Sequence, residues 1–341
     1  MLKDHLELCL QGVTLTEEQA ESVMHDIMNG LATPSQIASF VTIMRFRGET
    51  VDEITGFAKA MRQHSMKIPY ENEALLDTCG TGGDSLRTFN ISTTVGICLA
   101  ALGVKVAKHG NRAVSSKSGS ADVLEYLSIN IQHTPEQAAQ ALQTHSLCFL
   151  FAPLYHESMK HAVTPRKELG FRTIFNMLGP LTNPAGAKHQ LLGVYDGTMI
   201  EKVATALKRL GTKHSLVVSG GEGLDECSIT THTDVVEIKD GQLSRYQIRP
   251  EDFGLRRGKL EEIQVQNPKE SADLMLEVFQ GKANQSAQEI VYLNAGVALY
   301  AADQVASIKE GVTFIRDQIE TGCVYAHLQQ LQEVRKESQH A

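Results

Sequence analysis

From about residue 73 the chain repeats one grammar: a short apolar run, a glycine-rich or polar turn, then a helical stretch. The runs fall at 75–76, 104–106, 147–151, 191–195 and 216–218, with helical patterns such as 135–145 and 198–210 between them. That alternation predicts parallel strands joined by crossover helices. Around Asp240-Gly241 the pattern becomes a hairpin with the residues a type I′ turn favours. From Ser286 the chain returns to helix until a polar tail. Residues 1–67 read differently, as helices only. Thr16 with Gln19 fits a capping box, Thr33-Pro34 starts a second helix and Thr50 a third. The expected fold class is therefore α/β, with a small N-terminal all-α domain over 1–67 and a larger domain over 73–341 around a mostly parallel central sheet. The apolar stripes of residues 1–67 suit either a self-packed bundle or a surface for a second copy.

The densest chemistry lies between Asp77 and Glu125. Glycines 80, 82 and 83 let a backbone approach a ligand closely, and the helix expected to begin near Ile91 or Ser92 favours an anion at its start. Asn90, Ser92 and Thr93 stand at that start; a plain strand-to-helix turn is the other reading. Ser85 breaks the dinucleotide pattern, and no phosphate-binding GxxxxGK[ST] occurs. Lys105, Lys108, Arg112 and Lys117 then follow without an intervening acid, in a chain of net charge -8. This loop suits a phosphate ester or diphosphate, or is a solvated basic loop. Asp225 and Glu226 sit just past the run 216–218 and suit either Mg²⁺ shared with a diphosphate or a helix cap. Arg166, beside Pro165, presents a fork for a carboxylate or belongs to a charged surface helix.

The acidic balance argues against broad nucleic-acid binding. No apolar stretch is long enough to span a membrane. The six cysteines have neither CxxC nor zinc-like spacing and read as reduced thiols of a cytoplasmic protein.

Taken together, Gly80-Thr-Gly-Gly-Asp84, Thr88-Phe-Asn-Ile-Ser-Thr93, Lys108-His-Gly-Asn-Arg112, Gly119-Ser-Ala-Asp122 and Gly223-Leu-Asp-Glu226 resemble the anthranilate phosphoribosyltransferases of tryptophan biosynthesis. The resemblance runs over nearly the whole chain. It implies transfer of a phosphoribosyl group from phosphoribosyl pyrophosphate to anthranilate, Mg²⁺ as cofactor, and a homodimer formed through the helical domain. A segment near 165–180 would return to that domain. By position, Gly80, Gly83, Asp84, Thr88, Asn90, Ser92, Thr93, Lys108, Ser116 and Ser120 would hold the donor. Gly80, Asn111 and Arg166 would meet anthranilate, and Ser92, Asp225 and Glu226 would serve Mg²⁺. The resemblance supplies no strong acid or base, with His109 a possible helper. The chain departs from the family pattern at Ser85, His156-Glu157, Pro165 and Ser219. A pyrimidine nucleoside phosphorylase is the nearest alternative enzyme, and a nucleic-acid-binding relative the alternative of another class.

Overall fold

The computed structural model describes residues 2–71, 74–113 and 118–340. The N-terminal part is four helices: α1 (Leu2–Leu10), α2 (Glu17–Met28), α3 (Pro34–Arg47) and α4 (Val51–His64). Thr16, Thr33 and Thr50 each close a full capping box with Gln19, Gln36 and Glu53. Each box satisfies two amides that a helix start leaves without a partner. Val23, Ile27, Phe40 and Phe57 are fully buried, and the rings of Phe40 and Phe57 meet edge to face at 5.7 Å.

The larger part runs β1 (Leu76–Gly80), α5 (Ile91–Ala101), β2 (Val106–Gly110), α6 (Ser120–Tyr126), α7 (Pro135–His145), β3 (Leu147–Phe151), α8 (Ala152–Tyr155), α9 (Lys160–Leu169), α10 (Ile174–Leu178), β4 (His189–Gly193), α11 (Ile200–Arg209), β5 (His214–Gly220), β6 (Thr233–Lys239), β7 (Gln242–Ile248), α12 (Pro268–Phe279), α13 (Gln285–Ala301), α14 (Ile308–Glu320) and α15 (Cys323–His340). One seven-stranded sheet has the order β3-β2-β1-β4-β5-β6-β7. Strands β1 to β5 pair in parallel; β6 and β7 are antiparallel. Asp240 and Gly241 both have positive φ, 49° and 72°, as the type I′ hairpin requires. The helical-plus-α/β fold class read from the sequence is therefore the observed one.

Two details differ from the sequence reading. β1 and β2 extend beyond their apolar runs through buried polar residues, Asp77 and Thr78 in one and Lys108 and His109 in the other. A further helix, α12, precedes Ser286, where the sequence reading has none. Its start carries a side-chain cap, with Asn267 accepting from the Glu270 amide 2.9 Å away and proline in the first turn.

α9 packs on α3 and α2, and α10 on α4 and α3. The segment covering the sheet therefore touches the helical part from Lys160 onward. Arg62 of α4 adds a tie across the two parts, donating to the carbonyls of Leu181 and Leu210. All six cysteines are free thiols. Among the described residues, no helix is long and apolar enough to cross a membrane.

Candidate active site

A cleft of about 750 Å³ opens at the C-terminal ends of β1 and β2, lined on the far side by α9 and α10. Ligands of open parallel sheets gather at such strand ends. Gly80, Gly83, Asp84, Thr88, Asn90, Ser92, Thr93, Lys108, His109, Asn111, Ser120, Arg166, Asp225 and Glu226 all line it. Ser116 and Lys117 lie outside the described residues.

The glycine loop leaves β1 with Gly82 and Gly83 at φ 66° and 85°. α5 begins at Ile91, with Asn90 before it. The Asn90 side chain does not cap the helix. Its Oδ1 accepts from Ser118 Oγ at 2.7 Å and Ser271 Oγ at 2.8 Å. The helix start already holds a carboxyl of the protein's own: the Ser92 amide donates to Glu226 Oε1 at 3.0 Å. Thr93 is buried and its hydroxyl has no partner among the described residues. Thr88 forms an isolated bridge with Gln264.

Three carboxyls converge here. Asp225 Oδ2 accepts from the Gly82 amide at 2.7 Å. Gly80 and Gly193 pair side by side in β1 and β4, and a Cβ on either would overlap Asp225 itself. Burial, then the charge of Asp84, pushes the Asp225 carboxyl up to about 7. Burial, then Asp225, pushes Glu226 up to about 8. Burial also raises Asp84, against the opposing pull of its Leu86 hydrogen bond and of Arg172. Carboxyls that resist ionisation because they are desolvated and crowd one another fit a hard divalent cation, which would relieve both costs. Asp225, Glu226 and the Ser92 hydroxyl are the groups here that could hold such an ion. Glu226 thus accepts from the start of α5, as the helix-cap reading expects, and remains a candidate metal ligand.

The loop cations are not pooled as the sequence suggested. Lys105 turns away to the carbonyls of Leu142 and Gln143 and to Ser146 Oγ. Arg112 is spent on Asp122 and Glu125, at 3.0 and 2.6 Å. Both acids lie on the next helix, α6, so a run of basic residues read without its neighbour overstates the local charge. Lys108 lies at the centre, whereas Arg112 lines the cleft with its charge already paired. Lys108 is buried, donates to the Thr78 carbonyl, and lies 3.2 Å from Ser92 Oγ. Asn111 Oδ1 folds back onto the Arg112 amide at 2.7 Å, and Ser120 Oγ donates to the Asn111 carbonyl at 3.2 Å.

Across the cleft, Arg166 is half-buried on α9. Its guanidinium stacks 5.3 Å from the Phe175 ring centroid, and no carboxylate pairs with it among the described residues. Burial lowers its pKa. His109 lies 3.1 Å through Nδ1 from the Gly179 carbonyl, which fixes the Nδ1–H tautomer and leaves Nε2 without a partner. Burial, then His156, pulls it down to about 3. A ring held neutral in this way offers Nε2 only as a weak proton acceptor. Sequence reasoning missed Ser118 and Ser271, which hold Asn90, and His156 beside His109. The Asn267-Pro268-x-Glu270 cap signal would have found α12, which carries Ser271.

The chain is similar to known proteins over its whole length. Residues 72–325 match the glycosyl transferase family α/β domain, and residues 3–65 its helical bundle domain. The anthranilate phosphoribosyltransferase of Halalkalibacterium halodurans is 60% identical over the full length of both chains. A crystal structure of the Thermus thermophilus enzyme superposes with a TM-score of 0.91 at 39% identity, over 97% of this chain and 99% of that one. The Saccharomyces cerevisiae enzyme, in complex with phosphoribosyl pyrophosphate and Mg, gives 0.89 at 27% identity over 98% of each.

Proposed function

Because the chain belongs to the anthranilate phosphoribosyltransferase family, we propose that its cleft joins the amine of anthranilate to the anomeric carbon of phosphoribosyl pyrophosphate and releases pyrophosphate. One observation carries the assignment of the site. Opposite walls of a single cleft hold a carboxyl cluster suited to a metal-bound diphosphate and a guanidinium without an acidic partner among the described residues.

The donor wall is the glycine loop with Gly80, Gly83, Asp84 and Thr88, then Asn90, Ser92, Thr93, Lys108 and Ser120. Ser116 belongs to the same set by position. Asn90 is held by two serine hydroxyls, so its amide group is set before a ligand arrives. Mg²⁺, when bound at Asp225, Glu226 and Ser92, supplies positive charge against the diphosphate and so eases its departure. Lys108 adds a desolvated positive charge behind Ser92. Arg166 takes the anthranilate carboxylate in its planar fork, stacked on Phe175. Gly80 and Asn111 complete the acceptor side. The anthranilate amine is a neutral nucleophile, so positioning and electrostatics do most of the work and no strong base is required. His109 lines the acceptor pocket as a neutral ring.

The helical part would form a homodimer. Its support is exposed apolar surface there, with Leu31 72% and Phe46 93% accessible. The same reading places the enzyme in the cytoplasm, where six free thiols stay reduced; cell fractionation tests this, and recovery outside the cytoplasm refutes it.

Anthranilate fluorescence, followed with phosphoribosyl pyrophosphate and with or without Mg²⁺, tests the reaction. Loss that needs both donor and metal is expected. No loss from folded protein, together with phosphate-dependent cleavage of a pyrimidine nucleoside, would replace this reading with the phosphorylase one.

A further inference from the structure

Arg172 lies between α9 and α10, on the same short segment as Arg166, and does not line the cleft. It stands behind the glycine loop. Its guanidinium carbon is 4.3 Å from the Tyr195 ring centroid, and Nη2 donates to Ser85 Oγ at 3.2 Å. A Cβ on Gly83 would come within 2.7 Å of the guanidinium, so the loop backbone rests directly on it. Its charge also pulls on the Asp84 carboxyl. No carboxylate pairs with Arg172 within salt-bridge distance among the described residues, so no ion pair fixes it elsewhere. Two non-glycine residues of this loop, Ser85 and Arg87, hold positive φ of 63° and 60°. Such a conformation persists only where its surroundings enforce it. The guanidinium stack with its hydrogen bond to Ser85 is one such constraint.

We infer that Arg172 is a positioning residue for the donor. It braces the glycine loop from behind, so that the amides after Gly80 and the Asp84 carboxyl are set for a diphosphate before it binds. Because Arg172 and Arg166 share one short segment, the brace also ties the donor loop to the acceptor wall. The inference rests on the donor assignment given above. An unbraced loop would have to be ordered at the moment of binding, and that cost would appear in donor affinity. The Tyr195 ring packs on the guanidinium and limits its movement.

The test uses the full chain with Arg172→Gln, Arg172→Lys and Ser85→Ala. Hydrogen exchange of the 80–90 amides in ligand-free protein reads the brace directly. Exchange there should speed up about tenfold in Arg172→Gln, and less in Ser85→Ala, while the β4 and β5 amides stay as in the parent. KM for phosphoribosyl pyrophosphate should rise about tenfold in Arg172→Gln, with KM for anthranilate at saturating donor within about twofold. Arg172→Lys keeps the charge and loses the planar fork, so it should fall between the two. Unchanged exchange over 80–90 overturns the brace, whatever the activity. Faster exchange with unchanged donor KM, in protein that turns over, overturns its role in donor capture. Should the parent chain fail to use the donor at all, the functional assignment falls, and the exchange result still decides the brace.

Discussion

Replacing Arg166 with alanine separates the acceptor wall from everything else in the cleft. The guanidinium is half-buried, stacks on Phe175 at 5.3 Å, and has no carboxylate partner among the described residues. A hydrogen bond to a charged group contributes about 1.5–3 kcal/mol net. At about 1.4 kcal/mol per factor of ten, losing it should raise KM for anthranilate roughly 10- to 100-fold. The donor's KM should stay within about twofold, because the carboxyl cluster proposed for the diphosphate lies across the cleft and is untouched. Stability works the other way. The change removes a cation–π contact worth about 0.5–1 kcal/mol. It also removes a cation that burial already disfavours, as its lowered pKa records. These terms oppose, so the melting temperature should move by no more than about 2 °C. Arg166→Lys, with charge but no fork, should fall between parent and alanine. The assay is initial-rate anthranilate fluorescence with each substrate varied in turn, beside a thermal melt. A rise in donor KM alone would refute the acceptor role. A melting temperature many degrees lower would instead assign Arg166 to holding α9 in place.

Other outcomes test the metal cluster and the assembly. Asp225→Ala with Glu226→Ala should cut turnover by orders of magnitude with only partial rescue by added Mg²⁺ (about 10²-fold or more, typical for removing a charge-stabilising group); unchanged turnover would remove both from the mechanism. The raised carboxyls at about 7 and 8 make a signed pH forecast. Between their ordinary values and these, the unfolded chain has released protons that the folded chain still holds. Ligand-free stability should therefore fall as pH rises toward 8. Asp225→Asn with Glu226→Gln should flatten that slope, and a parent melting temperature that climbs over the same range would contradict it. Mg²⁺ should half-saturate at lower concentration as pH rises from about 6 to about 8.5, since metal must displace those protons; titration at constant ionic strength checks this. Phe46→Glu should convert a dimer at micromolar concentration to a monomer by sedimentation, and a parent that is itself monomeric ends that proposal.

How much is legible in the sequence follows physical range. The caps at Thr16, Thr33 and Thr50 are readable because each signal closes within three residues. The alternation behind the parallel sheet is also local. Strand ends read short, because β1 and β2 continue through the buried polar residues Asp77 and Lys108, which break the apolar pattern. The destinations of Lys105 and Arg112 escape the sequence, since charge on a loop does not say which carbonyl or carboxylate it will reach. The carboxyl cluster depends on Gly82 meeting Asp225 across 143 positions, and the setting of Asn90 on Ser271 across 181. No spacing rule spans such distances. The resemblance to a family singled out Asp225 and Asn90 where pattern alone left alternatives open, and it gave no sign of Ser271.

Gly80 and Gly193 face each other across β1 and β4 and leave room only for the bare main chain beside Asp225. In a saturation library of this protein, Gly193 should therefore score as intolerant as any group in the cleft, although it offers no side chain and touches no substrate. Alanine there would push aside the turn that carries both acids, and selection would register the loss as lost chemistry. A map of such a library alone would draw the active site one strand too wide. The surplus would mark where the sheet itself shapes the pocket around Asp225.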